Sequence, residues 1–174
     1  GMCGTAVKES GAKFLVMDDT GVGGGVTDRL RELQREEKFP KDCRIVPIQF
    51  GASAVRDERF HSIKDELWWA TRDAMRLGLL ALPAADDLAA LALPRGSNLK
   101  AQLTAPIYEE DSQSRIRVMD KRVDNREKTR ALPRKSPELA PALILGMRVW
   151  HTLKHGAEVE PPAKTLTEAV QRER

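Results

Sequence analysis

The sequence predicts an α/β fold, and three observations carry that prediction. A short apolar run, Ala12 to Met17, ends in two acids and a glycine cluster; an amphipathic helical pattern follows; a second apolar run, Arg44 to Phe50, closes the series. Strand, helix, strand in that order makes a parallel βαβ unit, because strands that point the same way need a long crossover between them. At 174 residues, 41% of them hydrophobic, the chain can bury one core and is short for two full domains.

Each element has its own justification. "AKFLVM" is too brief for a helix and reads as a strand buried on both faces, with Asp18 and Asp19 at its carboxyl end. After the glycines, Val26, Leu30 and Leu33 fall on one helical face among charged neighbours, and Phe39-Pro40 ends the pattern. "RIVPIQF" is the second strand, and Pro47 within it argues for an edge position or a bulge. From Ser62 to Leu77, the positions Ile63, Leu67, Trp68, Thr71, Ala74 and Met75 suit a longer helix, with Gly78 placed to cap it in the left-handed conformation. Leu80 to Leu103 repeats a Leu-Ala-Leu-Pro phrase at a spacing too short for a solenoid. "RIRVM", Arg115 to Met119, alternates as a half-exposed strand, and Ser136 to Trp150 is a strongly apolar helix. The domain is expected to span residues 1–156, followed by a Pro-marked linker and tail over 157–174.

Composition limits the function classes. Charged residues make up 32% of the chain but the net charge is only +3, so overall balance does not signal nucleic acid, and local distribution must decide. Cys3 and Cys43 form no C-x-x-C pair, which points away from a disulfide framework or zinc ribbon and towards a reducing compartment. No apolar stretch approaches 18 residues, so a soluble, cytoplasmic protein with no membrane partner is expected.

The stretch "VMDDTGVGGGVTDRL" invites three readings. A phosphate-binding loop would need Gly-Lys-Ser or Gly-Lys-Thr, and no such residues follow the glycines. A dinucleotide fingerprint would need glycine where Val26 stands, which disfavours a nucleotide-binding Rossmann-like protein. An acid at the end of a strand can join a carboxylate cluster holding Mg²⁺ or Mn²⁺, ions that prefer oxygen ligands. Equally, the two aspartates can cap a turn that the glycines permit, and spacing alone favours that simpler role.

"DDTGVGGGVTDRL", "IVPIQFGASA", "RFHSIKDELWW", "RDAMRLGLLALP", "LTAPIY" and "KSPELAPALIL", in this order, resemble the C-terminal nuclease domain of the large terminase subunit of tailed bacteriophages. The similarity covers roughly residues 10 to 150. It implies an RNase H-like mixed sheet with flanking helices, and an ancestral two-metal DNA endonuclease that cuts concatemeric viral DNA during packaging in the bacterial host. By this resemblance Asp18 is the second acid of the cluster, Asp19 a possible further metal ligand, and Glu138 the third catalytic and metal-binding acid, served by Mg²⁺ or Mn²⁺. Partners implied by the family are double-stranded DNA, the terminase ATPase domain, the small terminase subunit and the portal. The family's first acid lies on an opening strand that this chain is expected to lack, leaving the fold incomplete and an exposed sheet edge open to homo-oligomer formation. The family's S-P-D-x-A-D-A-L motif here has Glu138 in place of the first Asp and Pro141 in place of the second. Pro141 should kink the helix or start it. With the cluster so depleted, little or no cleavage is expected, and a non-catalytic DNA-binding or packaging-assembly module is the alternative.

Just before that last motif, Gln113 to Ser136 carries nine Lys or Arg against three acids. Its position favours a DNA backbone contact through Arg115, Arg117, Lys121, Arg122, Arg126, Lys128 and Arg130 over a merely solvated hairpin. Aromatic residues are not interleaved there, so single-strand stacking on that segment is disfavoured. His151 and His155 have the spacing of helical zinc ligands but no third ligand in the sequence, and read as surface residues. Trp68 and Trp69 could form a base-stacking platform; core packing of Trp68, with Trp69 at a rim, is the simpler expectation.

Overall fold

The structure is a computed structural model that describes residues 2–21, 23–82, 98–123, 126–132 and 139–154. The chain divides into two compact units, one formed by residues up to Gln49 together with the chain from Val149, the other by Phe50–Arg148. Most of the Leu-Ala-Leu-Pro echo, Glu138, His155 and the tail lie outside the described residues.

The first unit contains helix α1 (Met2–Ser10), strand β1 (Phe14–Asp18), helix α2 (Gly23–Arg35) and strand β2 (Arg44–Ile48). β1 and β2 pair in parallel from Phe14 opposite Arg44 to Asp18 opposite Ile48, with α2 as the crossover, as the sequence predicts. The core is Val7, Leu30, Phe39, Cys43 and Ile45, with Leu15, Met17 and Leu33 packed against it. β1 is half-buried from Phe14 to Met17 rather than covered on both faces, and its last residue, Asp18, is exposed. Val26 is exposed, contrary to its predicted place on the inner face of α2. Thr27 turns inward instead, 2% exposed, because its hydroxyl donates to Asp19 Oδ1 at 2.6 Å. Pro47 is tolerated for a geometric reason. Arg44 N–H donates to Lys13 O and Ile48 O accepts from Asp19 N–H, so alternate residues of β2 face β1 and Pro47 turns its donorless nitrogen away.

The second unit is built on helix α3 (Ile63–Arg76), helix α4 (Leu99–Thr104) and an antiparallel hairpin of β3 (Ile107–Glu110) and β4 (Ile116–Met119). A 3₁₀ turn follows at Glu127–Thr129, and helix α5 (Leu139–Lys154) begins in this unit. Leu67, Trp68, Val118, Ala140 and Ile144 form its core, with Phe50, Ile63, Leu99, Leu103 and Ile116 packed around them. Gly78 stops α3 at φ +68°, the left-handed stop its position predicts. α5 starts two residues before Pro141, which therefore sits in the first turn, where an N–H has no intrahelical partner to lose. Gln102 Oε1 accepts the N–H groups of Leu139 (2.9 Å) and Ala140 (3.0 Å), capping the helix from α4. Parallel and antiparallel pairing are thus both present, as two two-stranded sheets among the described residues. Sequence periodicity missed α1, α4 and β3, all short.

Candidate functional site

In the first unit the acids are organised by the turn that ends β1. Asp18 is exposed, and its Oδ1 accepts the Thr20 N–H at 3.0 Å, closing an Asx turn. Asp19 is committed to Thr27, which fastens the strand end to the first turn of α2. Gly21 at φ +67° supplies the left-handed residue that lets the chain double back. Asp18 is therefore the acid placed at the surface, and Asp19 serves as an anchor.

In the second unit a cleft of about 310 Å³ opens between the start of α3 and the end of β4. Its basic lining comes from Lys64, Arg117 and Lys121, with His61 beside them. Two acids reach it, both already matched. Asp65, 2% exposed, accepts the Val118 N–H at 2.7 Å through Oδ1 and the Ser62 hydroxyl at 2.6 Å through Oδ2. Asp120, also buried, pairs with Lys64 Nζ at 3.1 Å. Glu66 faces another way, accepting the Val55 N–H at 2.8 Å and Arg56 Nε at 2.9 Å, so it pins the preceding loop to α3. With its carboxylates occupied, the cleft presents Arg117 and Lys121 as exposed cations, an arrangement suited to an anion.

The other predicted basic residues divide into two groups. Arg122, Arg126 and Arg130 converge with Glu127 on a second hollow of about 240 Å³. Several cations are neutralised internally: Glu109 receives Arg126 at 2.6 Å and also Lys128, while Arg130 lies 3.9 Å from Glu127. Arg115 is spent on the hairpin turn, with its guanidinium 2.8 Å from Asp111 and 3.1 Å from His61 Nδ1. The Arg115 N–H bonded to the Asp111 carboxylate holds that carboxyl well below the usual range, and the Arg115 guanidinium, the Gln113 N–H and His61 act in the same direction.

Sequence reading missed Lys64, Asp65, Glu66 and Asp120. One signal was available: Ser62-x-x-Asp65 is a capping-box pattern, and Ser62 does cap α3 by accepting the Asp65 N–H. Nothing in sequence spacing foretold the pairing of Lys64 with Asp120, 56 positions away.

Among the described residues, no three His, Cys, Asp or Glu side chains converge to hold a metal ion. Asp18 supplies one carboxylate and Glu138 lies outside the described residues, so these residues do not by themselves fit a two-ion centre. No helix among them is long and apolar enough to cross a membrane.

The fold is similar to that of the nuclease domain of a phage large terminase subunit. The chain superimposes on a point mutant of the nuclease domain of the large terminase subunit of bacterial virus Sf6 solved with manganese, at TM-score 0.59 and 20% identity, covering 84% of this chain and 70% of that one. The same mutant with calcium gives TM-score 0.59 and 20% identity over 84% and 69% of the two chains. A structure of that nuclease domain without a named ion gives TM-score 0.59 and 19% identity over the same shares. No protein-family model matches the chain, and no curated protein matches it in sequence.

Proposed function

We propose that this chain is a nuclease domain of the phage large-terminase type that engages duplex DNA through the basic face of its second unit, with metal-dependent cleavage weak or lost. The fold likeness across 84% of the chain carries this reading. The cleft with Arg117 and Lys121 and the neighbouring hollow with Arg122 support it, because such cations meet phosphates without needing to read bases. A divalent ion, Mg²⁺ or Mn²⁺, belongs to the same proposal, with Asp18 and Glu138 as the residues to test and Asp19 held back by Thr27. DNA affinity without cleavage is the form of the activity we expect, within a packaging assembly.

Ion pairing inside the second unit sharpens the expected binding. Of the seven predicted basic residues, Arg117, Lys121 and Arg122 have no acidic partner among the ion pairs of the described residues. Each phosphate neutralised contributes about −0.9 to the slope of log K against log salt, so a slope of about −3 is expected in place of about −6 for all seven. A mobility shift with a 40-base-pair duplex across a salt series measures it. Lys121→Gln should reduce the slope by about one, and Arg115→Gln should leave it unchanged. Absence of any salt-sensitive shift would sink the DNA reading. Supercoiled plasmid with Mn²⁺ should stay uncut, and nicking that Asp18→Ala abolishes would restore a working nuclease.

A further inference from the structure

The adjacent tryptophans occupy different environments. Trp68 is 7% exposed and belongs to the core of the second unit. Trp69 is half-buried, with its ring edge-on to Tyr108 at a centroid distance of 5.1 Å and an angle of 88°. The Arg72 guanidinium lies over Trp69, 4.3 Å from its centroid. Tyr108, on the outward face of β3, is 63% exposed. These side chains, with Trp68, Leu103 and Val118, line a hollow of about 130 Å³. Behind them Phe60 stands 6.3 Å from Trp69 and carries Arg56 and Arg59 over its own ring, at 5.0 and 5.3 Å.

The chemistry of this hollow narrows its ligand. Its walls are aromatic and apolar, and its charged lining residue among those described is Arg72, whose guanidinium also lies 3.6 Å from the part-exposed Asp73 carboxylate. A fitting ligand is flat and brings negative charge towards the Arg72 guanidinium. An unpaired nucleobase on its phosphate backbone meets both demands. An apolar peptide side chain would pack on the rings but bring no charge to the guanidinium. Bases inside a duplex are already stacked on one another and cannot enter.

We propose that Tyr108, Trp69 and Arg72 form a stacking site for one unpaired base of a single strand. This rests on the preceding reading only in taking nucleic acid as the ligand class. The hollow is separate from the basic cleft, sharing with it only the Val118 wall among the described lining residues. The site would hold a frayed single-stranded end while duplex lies on the basic face.

The test uses the full chain and two fluorescein-labelled probes, a dT12 strand and a blunt 12-base-pair duplex, read by anisotropy. Tyr108 is exposed enough for Tyr108→Ala to fold, and the variant should bind dT12 about tenfold more weakly while duplex affinity stays within about twofold. Tyr108→Trp should keep the dT12 affinity, and Arg72→Gln should weaken it by a few-fold. Saturating dT12 should also quench tryptophan emission. Unchanged dT12 affinity in Tyr108→Ala, equal losses on both probes, or no binding of dT12 at all would overturn the proposal. Tyr108-dependent binding of a Glu-Leu repeat peptide in place of dT12 would overturn it too, by assigning the hollow to a protein partner. Loss of duplex binding alone would instead sink the duplex reading and leave this one standing.

Discussion

Asp18 and Asp19 of the first unit organise a turn near the surface, whereas Asp65 and Asp120 of the second are buried and tied to backbone and lysine. Asp18 and Asp19 follow each other in sequence, and each makes one local bond, to Thr20 and Thr27. Asp65 and Asp120 are 55 positions apart, yet they line one cleft, where Asp65 takes a β4 amide and Asp120 a lysine of α3. A carboxylate near the surface can give up its hydrogen bond to water at little cost. One inside a protein can do so only by leaving itself or its partner unsolvated. The two arrangements teach that clustered acids in a sequence mark a turn or a ligand site, while dispersed ones can carry the architecture.

The largest expected effect separates the two units directly. Asp65→Ala removes the acceptor of both the Val118 N–H and the Ser62 hydroxyl, and should cost about 3 kcal/mol. Asp18→Ala, at an exposed Asx turn, should stay within about 0.5 kcal/mol. Hydrogen exchange followed separately in each unit during denaturation reads both numbers, and equal losses would erase the contrast. Next in size is Thr27→Val, which keeps the shape but loses the bond to Asp19; about 1.5 kcal/mol is expected from the first unit. A cost near zero would make Asp19 as dispensable as Asp18 and return it to the pool of possible ligands.

The smallest effect concerns pH. Asp111 is depressed in the folded chain, so what it contributes to the hairpin is fully present above the unfolded carboxyl value of about 3.9 and is lost only as pH falls through the lower, folded value. The turn it organises, with Ser114 at φ +58° and the Gln113 and Arg115 amides bonded to its Oδ1, should therefore persist into acid that protonates ordinary carboxyls. Carboxyl NMR should place the Asp111 midpoint below about 3.9; a midpoint at or above it would show that the turn does not depend on the ionised group.

What could be read from the chain itself was whatever depends on neighbours in sequence. The parallel strand-helix-strand order, the edge character of β2 from Pro47, the long α3 with Gly78 at its end, and the alternation in β4 all follow from residue spacing and backbone constraints over a few positions. Likeness to the terminase nuclease domain was legible in the order of motifs, and the fold agrees with it. Tertiary structure alone decided which charges are spent and which remain. Glu109 claims Arg126 and Lys128, Asp111 claims Arg115, and Lys64 meets Asp120, because the hairpin and α3 bring distant positions within a few ångströms. Val26 left its expected inner face and Thr27 took the buried place for a similar reason: a hydrogen bond to Asp19, invisible to periodicity, outweighs one exposed methyl pair. The ring cluster of Phe60, Trp69 and Tyr108 was hidden as well, since strand pairing and a helix turn assemble it from three separate segments. Periodicity records which side of an element faces inward; which side chain meets which is set by long-range pairing, and there the charges and rings of this chain acquire their roles.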